Sequence, residues 1–429
     1  MYQSYKDFLN FNSQEWKYTC NLLQDFNSES FDDFCNVISQ LQCNNWQEPI
    51  RSILTEYCPY QNEIVKHFNW VKEKILRLPE LFPNGLEPYY NESIIKLDKN
   101  RCLGILGALF FSCSQRMHTF LDERESAKFQ CMISYFNIMK SLSDDDLNNE
   151  FFIIEKKSLS PDNQSAWLKD DHILLDYEIY EELKIEDYNY KSIKADFANQ
   201  YIGGGVLSFG CVQEEILFSI YPELLISMVF CKPMKPHEAI VLKGARRAAN
   251  YSGYAWNFRF VEQCSQDIPK DQNGCIENTF VAMDALMSPS LLAQFSEDCL
   301  WRELNKAFIS FNRNSFDCQE QLDPVVTGRW GCGEFGGFAP LKILLQWISA
   351  SSAGRKIVVT TFKDRTLGEL AEIMEKFRGT KCRELLEMII KSPDCELLSI
   401  LLGKKAFEER PPFVIPSGKD LLGRFGKKD

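Results

Sequence analysis

Four histidines in 429 residues leave little imidazole for metal binding. The 16 cysteines stand singly along the chain with no CxxC pair, so the spacing of a zinc site is missing as well. Scattered thiols of this kind fit reduced cysteines in a cytosolic or nuclear protein. Long apolar runs are also absent: the longest, "CLGILGALFF", has 10 residues, against roughly 20 for a bilayer span. The first residues show neither the basic-then-apolar order of a signal peptide nor the Arg-rich, acid-poor composition of a transit peptide, which predicts a soluble intracellular chain. Finally, excess positive charge is missing. A net charge of −12 and a pI near 5.1 argue against general affinity for nucleic acid or an anionic membrane. If the ligand is an anion, backbone N–H groups must hold much of it.

What the chain has is apolar and aromatic mass, 45% and 13%, enough for two or three domains with cores of their own. Residues 1–145 read as helical, with apolar positions recurring every three or four residues in "DDFCNVISQLQ", "EIVKHFNWVKEKILRL" and "SIIKLDKNRCLGILGALFF". The acidic "SLSDDDLNNE" then reads as a break. Beyond it, across 150–408, short β-rich runs ("FFIIEK", "IKADFA", "EAIVLKG", "TFVAMDAL", "PVVTG", "KIVVTTF") alternate with helix-length segments. One of these runs from Ser288 to Phe311 and opens on a Ser cap and Pro. That alternation is an α/β arrangement. Residues 409–429 form a tail rich in proline and basic residues.

Two glycine-rich stretches sit between a β run and a helix. The first is "GGGVLSFGCVQEE", from Gly203 to Glu215. Strand, glycine loop and helix start in that order make an anion cradle or a plain structural turn, and the spacing is neither Walker A nor GxGxxG. Glu214 and Glu215 fall in the first turn of the helix, where the dipole alone favours acid. Consecutive helical side chains point about 100° apart, so the pair cannot face each other across one bond. One glutamate could move a proton while its neighbour grips a substrate. The second stretch, "VVTGRWGCGEFGGFAPLK", repeats the grammar, and is a second cradle or a cluster of turn glycines. The aromatic residues of "YSGYAW" and Phe362 at the end of "KIVVTTF" are either core or stacking surfaces.

These residues together resemble the catalytic region of the poly(ADP-ribose) glycohydrolases. The carriers are GGG, seven residues, then QEE, with "DFAN", "PELLIS", "YSGYA", "RELNKAF", "TGRWGCGEFGG" and "TTF" in the same order, and "LGALFF" in the helical part. The resemblance implies a macrodomain-like mixed β-sheet sandwiched between helices, with a mostly α-helical N-terminal accessory region. It implies hydrolysis of the ribose–ribose O-glycosidic bonds of poly(ADP-ribose), with Glu215 as general acid and base, its pKa raised by burial and by Glu214. Glu214 would orient the ribose, and Asp196 would help set that geometry.

By the same resemblance Ile185 and Glu186 meet the adenine end, and Asn199 and Gln213 the ribose. Gly203, Gly204 and Gly205 line the diphosphate, which Arg329, Trp330, Gly331, Cys332, Gly333 and Glu334 wrap from the other side. Tyr254 stacks over the ligand, and Phe335 and Phe362 pack against the distal ribose and adenine. Two positions depart from the family pattern: Arg329 stands where animal members usually carry Asn, and Glu334 where a small residue is common. No metal or cofactor is implied. The expected partners are the polymer and the proteins that carry it, with no direct nucleic-acid or membrane binding, for a monomer in the nucleus or cytoplasm. A reader of ADP-ribose that cuts nothing, or a hydrolase of terminal mono-ADP-ribose, are the alternatives.

Overall fold

Apolar spacing of three and four gives the expected N-terminal helices: α1 (Gln14–Asp25), α2 (Phe31–Leu41), α3 (Gln61–Leu76) and the single turn α4 (Leu78–Leu81). Ser13 caps α1 by accepting the Trp16 amide at 3.0 Å. The computed structural model describes residues 10–41, 61–86, 91–111, 123–160, 166–264, 269–287, 290–317, 322–364, 367 and 370–391. The tail 409–429 lies outside them.

The next segment corrects the helical reading of "SIIKLD". Ile94–Asp98 is a strand, β1, with Ile95 and Leu97 buried and their neighbours not, and α5 (Lys99–Phe110) starts only after it, capped by Asp98. A six-residue apolar-rich segment satisfies either period. The deciding term is the partner, since β1 pairs antiparallel with β2 (Phe151–Ser158).

The acidic stretch before β2, read as a break, carries secondary structure of its own. It contains the end of α6 (Glu123–Ser141) and the short helix α7 (Asp144–Asn149) with Ser143 as its cap. Glu150 then pairs, fully buried, with Lys99 at 3.4 Å and Arg246 at 2.6 Å. Lys99 also meets Glu223 at 2.8 Å, and Tyr135 donates to Glu223 at 2.9 Å. Removing one member of such a network strands the other charges without water, so these groups lock the helical part to the sheet.

The remaining elements are β3 (Tyr177–Tyr180), β4 (Ile193–Asp196), α8 (Gln213–Ile220), α9 (Ser227–Phe230), β5 (Glu238–Lys243), β6 (Ala249–Ser252), β7 (Arg259–Gln263), β8 (Thr279–Ala282), α10 (Glu297–Phe311), β9 (Val325–Thr327), α11 (Ala339–Ser352), β10 (Ile357–Thr360), α12 (Leu370–Phe377) and α13 (Cys382–Lys391). Helix α10 is shorter than the expected Ser288–Phe311 helix. A 3-10 turn at Leu292–Phe295 comes first, and Ser296 followed by Glu297 and Asp298 marks the α-helical start; Ser288 and Pro289 are outside the described residues.

Eight strands form one mixed sheet in the order β1-β2-β5-β8-β4-β9-β10-β3. It is antiparallel from β1 to β8 and parallel from β8 to β3, with β6 and β7 a separate hairpin. Period-two alternation divides the strands between two cores. Ile240, Leu242, Phe280 and Ala282 face the N-terminal helices, while Ala239, Val241 and Val281 face α10 and α11. The first core runs unbroken from Trp16 to Ala282, so the helical region and one sheet face are buried as a unit. The parallel half leaves the C-terminal ends of β4, β8, β9 and β10 at one edge, where open α/β sheets carry their ligand sites.

Candidate active site

Strand β4 delivers Asp196 to that edge, a series of turns follows, and α8 begins at Gln213. Gln213 staples the strand exit from both ends of its amide: its Oε1 accepts the Phe197 N–H at 2.8 Å and its Nε2 donates to the Ala195 carbonyl at 3.2 Å. Glu214 accepts the amides of Asn199 at 2.9 Å and Gly203 at 2.6 Å. Glu215, at the third helical position, accepts Val212 N–H at 2.9 Å, which is half of a capping box, and Gly205 N–H at 3.0 Å. Asn199 meanwhile closes a local turn, its Oδ1 accepting the Tyr201 N–H at 3.0 Å. Each catalytic-candidate glutamate is therefore gripped by two backbone donors.

The three glycines answer to those carboxylates. A methyl group at Gly204 would sit 2.6 Å from Glu215 Oε1 and 2.8 Å from Glu214 Oε2, and one at Gly203 would meet Met228 Sδ at 2.6 Å. Gly203 and Gly204 both have left-handed backbones, φ 89° and 50° respectively. The expectation that Gly203, Gly204 and Gly205 offer their amides to a diphosphate is corrected here. Their N–H groups donate to Glu214, to the Tyr201 carbonyl and to Glu215. The loop folds around the protein's own carboxylates.

Helix α6 holds this loop from outside. Lys128 Nζ donates to the carbonyls of Val206, Ser208 and Gly210 at 2.9, 2.7 and 2.6 Å. Burial lowers its pKa, an effect that Glu125 and Glu215 oppose. Arg124, one turn earlier, donates to the Phe209 carbonyl at 3.2 Å and stacks 3.7 Å from the Trp256 ring. Neither residue was visible as a site residue in the sequence, because each acts on a loop some eighty positions away.

Behind the pair lies Asp196, 0% exposed, whose two oxygens find no hydrogen-bond partner among the described residues. Burial first, and the Glu215 charge second, hold its carboxyl well above the usual carboxylate range. Glu214 is also pushed well up, by burial and then by Asp196, against the pull of the Asn199 and Gly203 amides. Asp196 and Glu214, both buried and each facing another carboxylate, therefore keep protons that solvated groups would have lost.

The second glycine loop leaves β9 and enters α11. Trp330 is 0% exposed and donates its indole N–H to the Met283 carbonyl at 2.9 Å, with Lys342 3.5 Å over its ring. The expectation that it lines the ligand is thereby corrected: its side chain is core. Gly331 has φ 71° and leaves no room for a Cβ, which would lie 2.4 Å from Ala285. Gln294 pins the loop's far end, donating to Gly336 O at 3.1 Å and accepting the Phe338 N–H at 2.7 Å. Between these anchors Gly333 and Glu334 are exposed, Cys332 and Phe335 half-buried, and the N–H groups of Gly333, Glu334 and Phe335 have no acceptor among the described residues. Arg329 is half-exposed and paired with Asp364 at 3.0 Å.

The β6–β7 hairpin faces both loops. Tyr254 is 56% exposed. Burial of its hydroxyl end raises the phenol above its ordinary value, Gln213's backbone amide opposing, while Glu215 and Glu334 add and Arg329 subtracts. One tyrosine thus senses both loops. Tyr251, also on the hairpin, donates its hydroxyl to Glu186, while Ile185 is buried with Tyr188, Val326 and Val358. Phe362 stands 47% exposed at the end of β10 with φ 52°, a conformation that costs a non-glycine residue about 1–2 kcal/mol.

A cavity of about 300 Å³ opens at the opposite edge, beneath Ser192, Ile193 and Thr279. Its charges are spent on each other, as in the Lys243–Asp271 pair at 2.5 Å, and it holds none of these residues. Among the described residues no three His, Cys, Asp or Glu side chains are grouped to hold a metal, and no helix is long and apolar enough to cross a membrane.

Residues 164–369 match the family described as "Poly (ADP-ribose) glycohydrolase (PARG), Macro domain fold". The chain is 29% identical over 342 residues to Poly(ADP-ribose) glycohydrolase 1 of Arabidopsis thaliana, covering 65% of this chain and 59% of that one. It is 30% identical over 311 residues to Poly(ADP-ribose) glycohydrolase 1 of Caenorhabditis elegans, covering 68% and 37% respectively. It therefore spans less than two thirds of either relative's length. Among solved structures, the poly(ADP-ribose) glycohydrolase of Thermomonospora curvata aligns with a TM-score of 0.32 at 15% identity over 58% of this chain and 98% of that one. The chain belongs to the poly(ADP-ribose) glycohydrolase family, and its mixed sheet between helices is that family's macro domain fold.

Proposed function

We propose that the protein hydrolyses the ribose–ribose O-glycosidic bonds of poly(ADP-ribose), free or attached to proteins, and releases ADP-ribose. The observation that carries this reading is the buried carboxyl cluster at the ligand edge of the sheet, with Glu214 and Glu215 each fixed by two backbone amides. Glu215 gives its proton to the bridging oxygen as the C–O bond breaks, leaving an oxocarbenium-like carbon. As a carboxylate it then takes a proton from the water that forms the new C–O bond. Glu214, oriented roughly 100° away around the helix, accepts from ribose hydroxyls rather than sharing the same bond. Asp196 behind them holds its own proton and, with burial, pushes the Glu214 carboxyl up. On the far side, the amides of Gly333, Glu334 and Phe335 take the diphosphate, Tyr254 covers the ribose, and Phe362 stacks on the adenine. No step calls for a metal.

The test is digestion of poly(ADP-ribose) with product separation. The wild-type chain releases monomeric ADP-ribose, and Glu215→Gln slows release on the order of a thousandfold while still binding ADP-ribose by calorimetry. Full activity in Glu215→Gln removes the proposed acid. Release from mono-ADP-ribosylated protein with the polymer left intact would assign the alternative substrate.

A further inference from the structure

Two aromatic side chains beside the carboxyl cluster have no part in the mechanism above, and both face solvent. Phe209, on the first glycine loop, is 57% exposed, and Trp256, on the β6–β7 hairpin, is 72% exposed. They come from different elements, yet Arg124 joins them: its guanidinium lies 3.7 Å from the Trp256 ring and donates to the Phe209 carbonyl at 3.2 Å. That guanidinium is itself buried, so the indole is held from behind and its outer face is open. Single exposed aromatics are ordinary. Two fixed to one buried cation at the rim of a site form a surface built to be covered.

Their position says by what. Phe209 immediately precedes Gly210, where a Cβ would lie 2.8 Å from Glu215 Oε1, so the ring borders the proposed acid. Trp256 is two residues beyond Tyr254, whose phenol feels Glu215. The surface thus continues the site at the bond-breaking carboxylate, and neither ring is among the residues assigned to the terminal unit. A polymer chain cannot end at that carboxylate, since the leaving oxygen belongs to the next unit's ribose, and that unit carries a purine with two flat faces. Arg124 behind the indole adds positive charge on the side that this anionic unit approaches.

The geometry points to Phe209 and Trp256 as a stacking platform for the adenosine of the ADP-ribose unit on the leaving side of the scissile bond. This rests on the hydrolytic reading, and extends it from the unit released to the unit retained. Stacking on exposed aromatics tolerates any base and is strong enough to set affinity.

The test uses the full chain in the Glu215→Gln background, so that polymer is held uncut. Phe209→Ala and Trp256→Ala are each expected to weaken poly(ADP-ribose) binding about tenfold, with Trp256→Phe restoring most of the loss and ADP-ribose affinity unchanged throughout. Unchanged polymer affinity in the double alanine variant overturns the platform. So does an equal loss of ADP-ribose affinity, which would mean that the rings shape the terminal site instead. Failure of the hydrolytic reading is a separate result, seen when wild-type protein leaves polymer uncut whatever the variants bind.

Discussion

After β4 and again after β9, the chain leaves the sheet through glycines and re-enters a helix, yet the two loops use their backbone N–H groups differently. In the first, every amide of Gly203, Gly204 and Gly205 is consumed inside the protein, two of them by the glutamates that α8 presents. In the second, those of Gly333, Glu334 and Phe335 find no acceptor among the described residues, between a buried Trp330 and an anchored Gly336. Glycine content alone cannot separate these cases, because room for a ligand and room for the protein's own carboxylate look the same in one dimension. The first loop holds the two glutamates; the second is the one proposed above to cradle the anion.

The sharpest way to break this contrast is to add one methyl group to each loop. Gly204→Ala places a Cβ within 2.8 Å of both glutamates at a left-handed φ, so the carboxylates must move. Displacements near 1 Å at reacting groups cost about a hundredfold, and that loss in kcat is expected here, with ADP-ribose affinity reduced much less. Gly333→Ala has nothing within 4 Å of its Cβ and should leave kcat within about twofold. Equal effects from the two substitutions, read by steady-state kinetics, would erase the distinction.

The support behind the first loop is the next target. Lys128 satisfies three carbonyls between Val206 and Gly210, and Lys128→Met leaves them unpaired at low exposure. A loss of about 1–3 kcal/mol in stability follows from burying unmet acceptors. The larger readout is a roughly tenfold lower kcat at unchanged KM, as Gly205 and Gly210 relax away from Glu215. Lys128→Arg should recover part of it. A change in KM alone would place Lys128 at the ligand instead of behind the loop.

The buried acid offers a pH test. Because Asp196 holds its proton far above the value of about 3.9 for a solvated aspartate, the folded state binds a proton that the unfolded chain releases. Its contribution is complete below about pH 3.9 and is lost as pH rises toward the raised folded value. Asp196→Asn keeps the shape without the proton, so its melting temperature should fall less than that of wild type between pH 4 and 7. Parallel curves would mean the carboxyl is ionised in the fold.

Much of this was legible beforehand because the relevant signals are local. The run Gln213-Glu214-Glu215 after a glycine loop marked a helix start carrying acids, and the β runs from "FFIIEK" to "KIVVTTF" each became a strand. Readings failed where tertiary pairing decides. "SIIKLD" suits a helix until β2 lies beside it, and "SLSDDDLNNE" looks like a polar break until Glu150 is seen buried against Lys99. Trp330 falls in the loop that the family resemblance wraps around the diphosphate, but its indole turns inward to Met283. Arg124 and Lys128 carried no signal at all, since a basic residue on a helix is ordinarily solvated.

Arg329 gives the smallest effect and the finest cut between the loops. Its guanidinium is half-exposed and already paired with Asp364, so breaking that pair costs no more than about 1 kcal/mol of stability. If the open amides of the second loop are what hold the diphosphate, Arg329→Ala should lower ADP-ribose affinity only about threefold at low ionic strength, and the difference should vanish near 0.5 M salt as exposed charges are screened. Calorimetry at two salt concentrations separates this from the other outcome. A loss of a hundredfold, insensitive to salt, would mean that the side chain is desolvated against the phosphates and that the cradle is built on Arg329 rather than on the backbone.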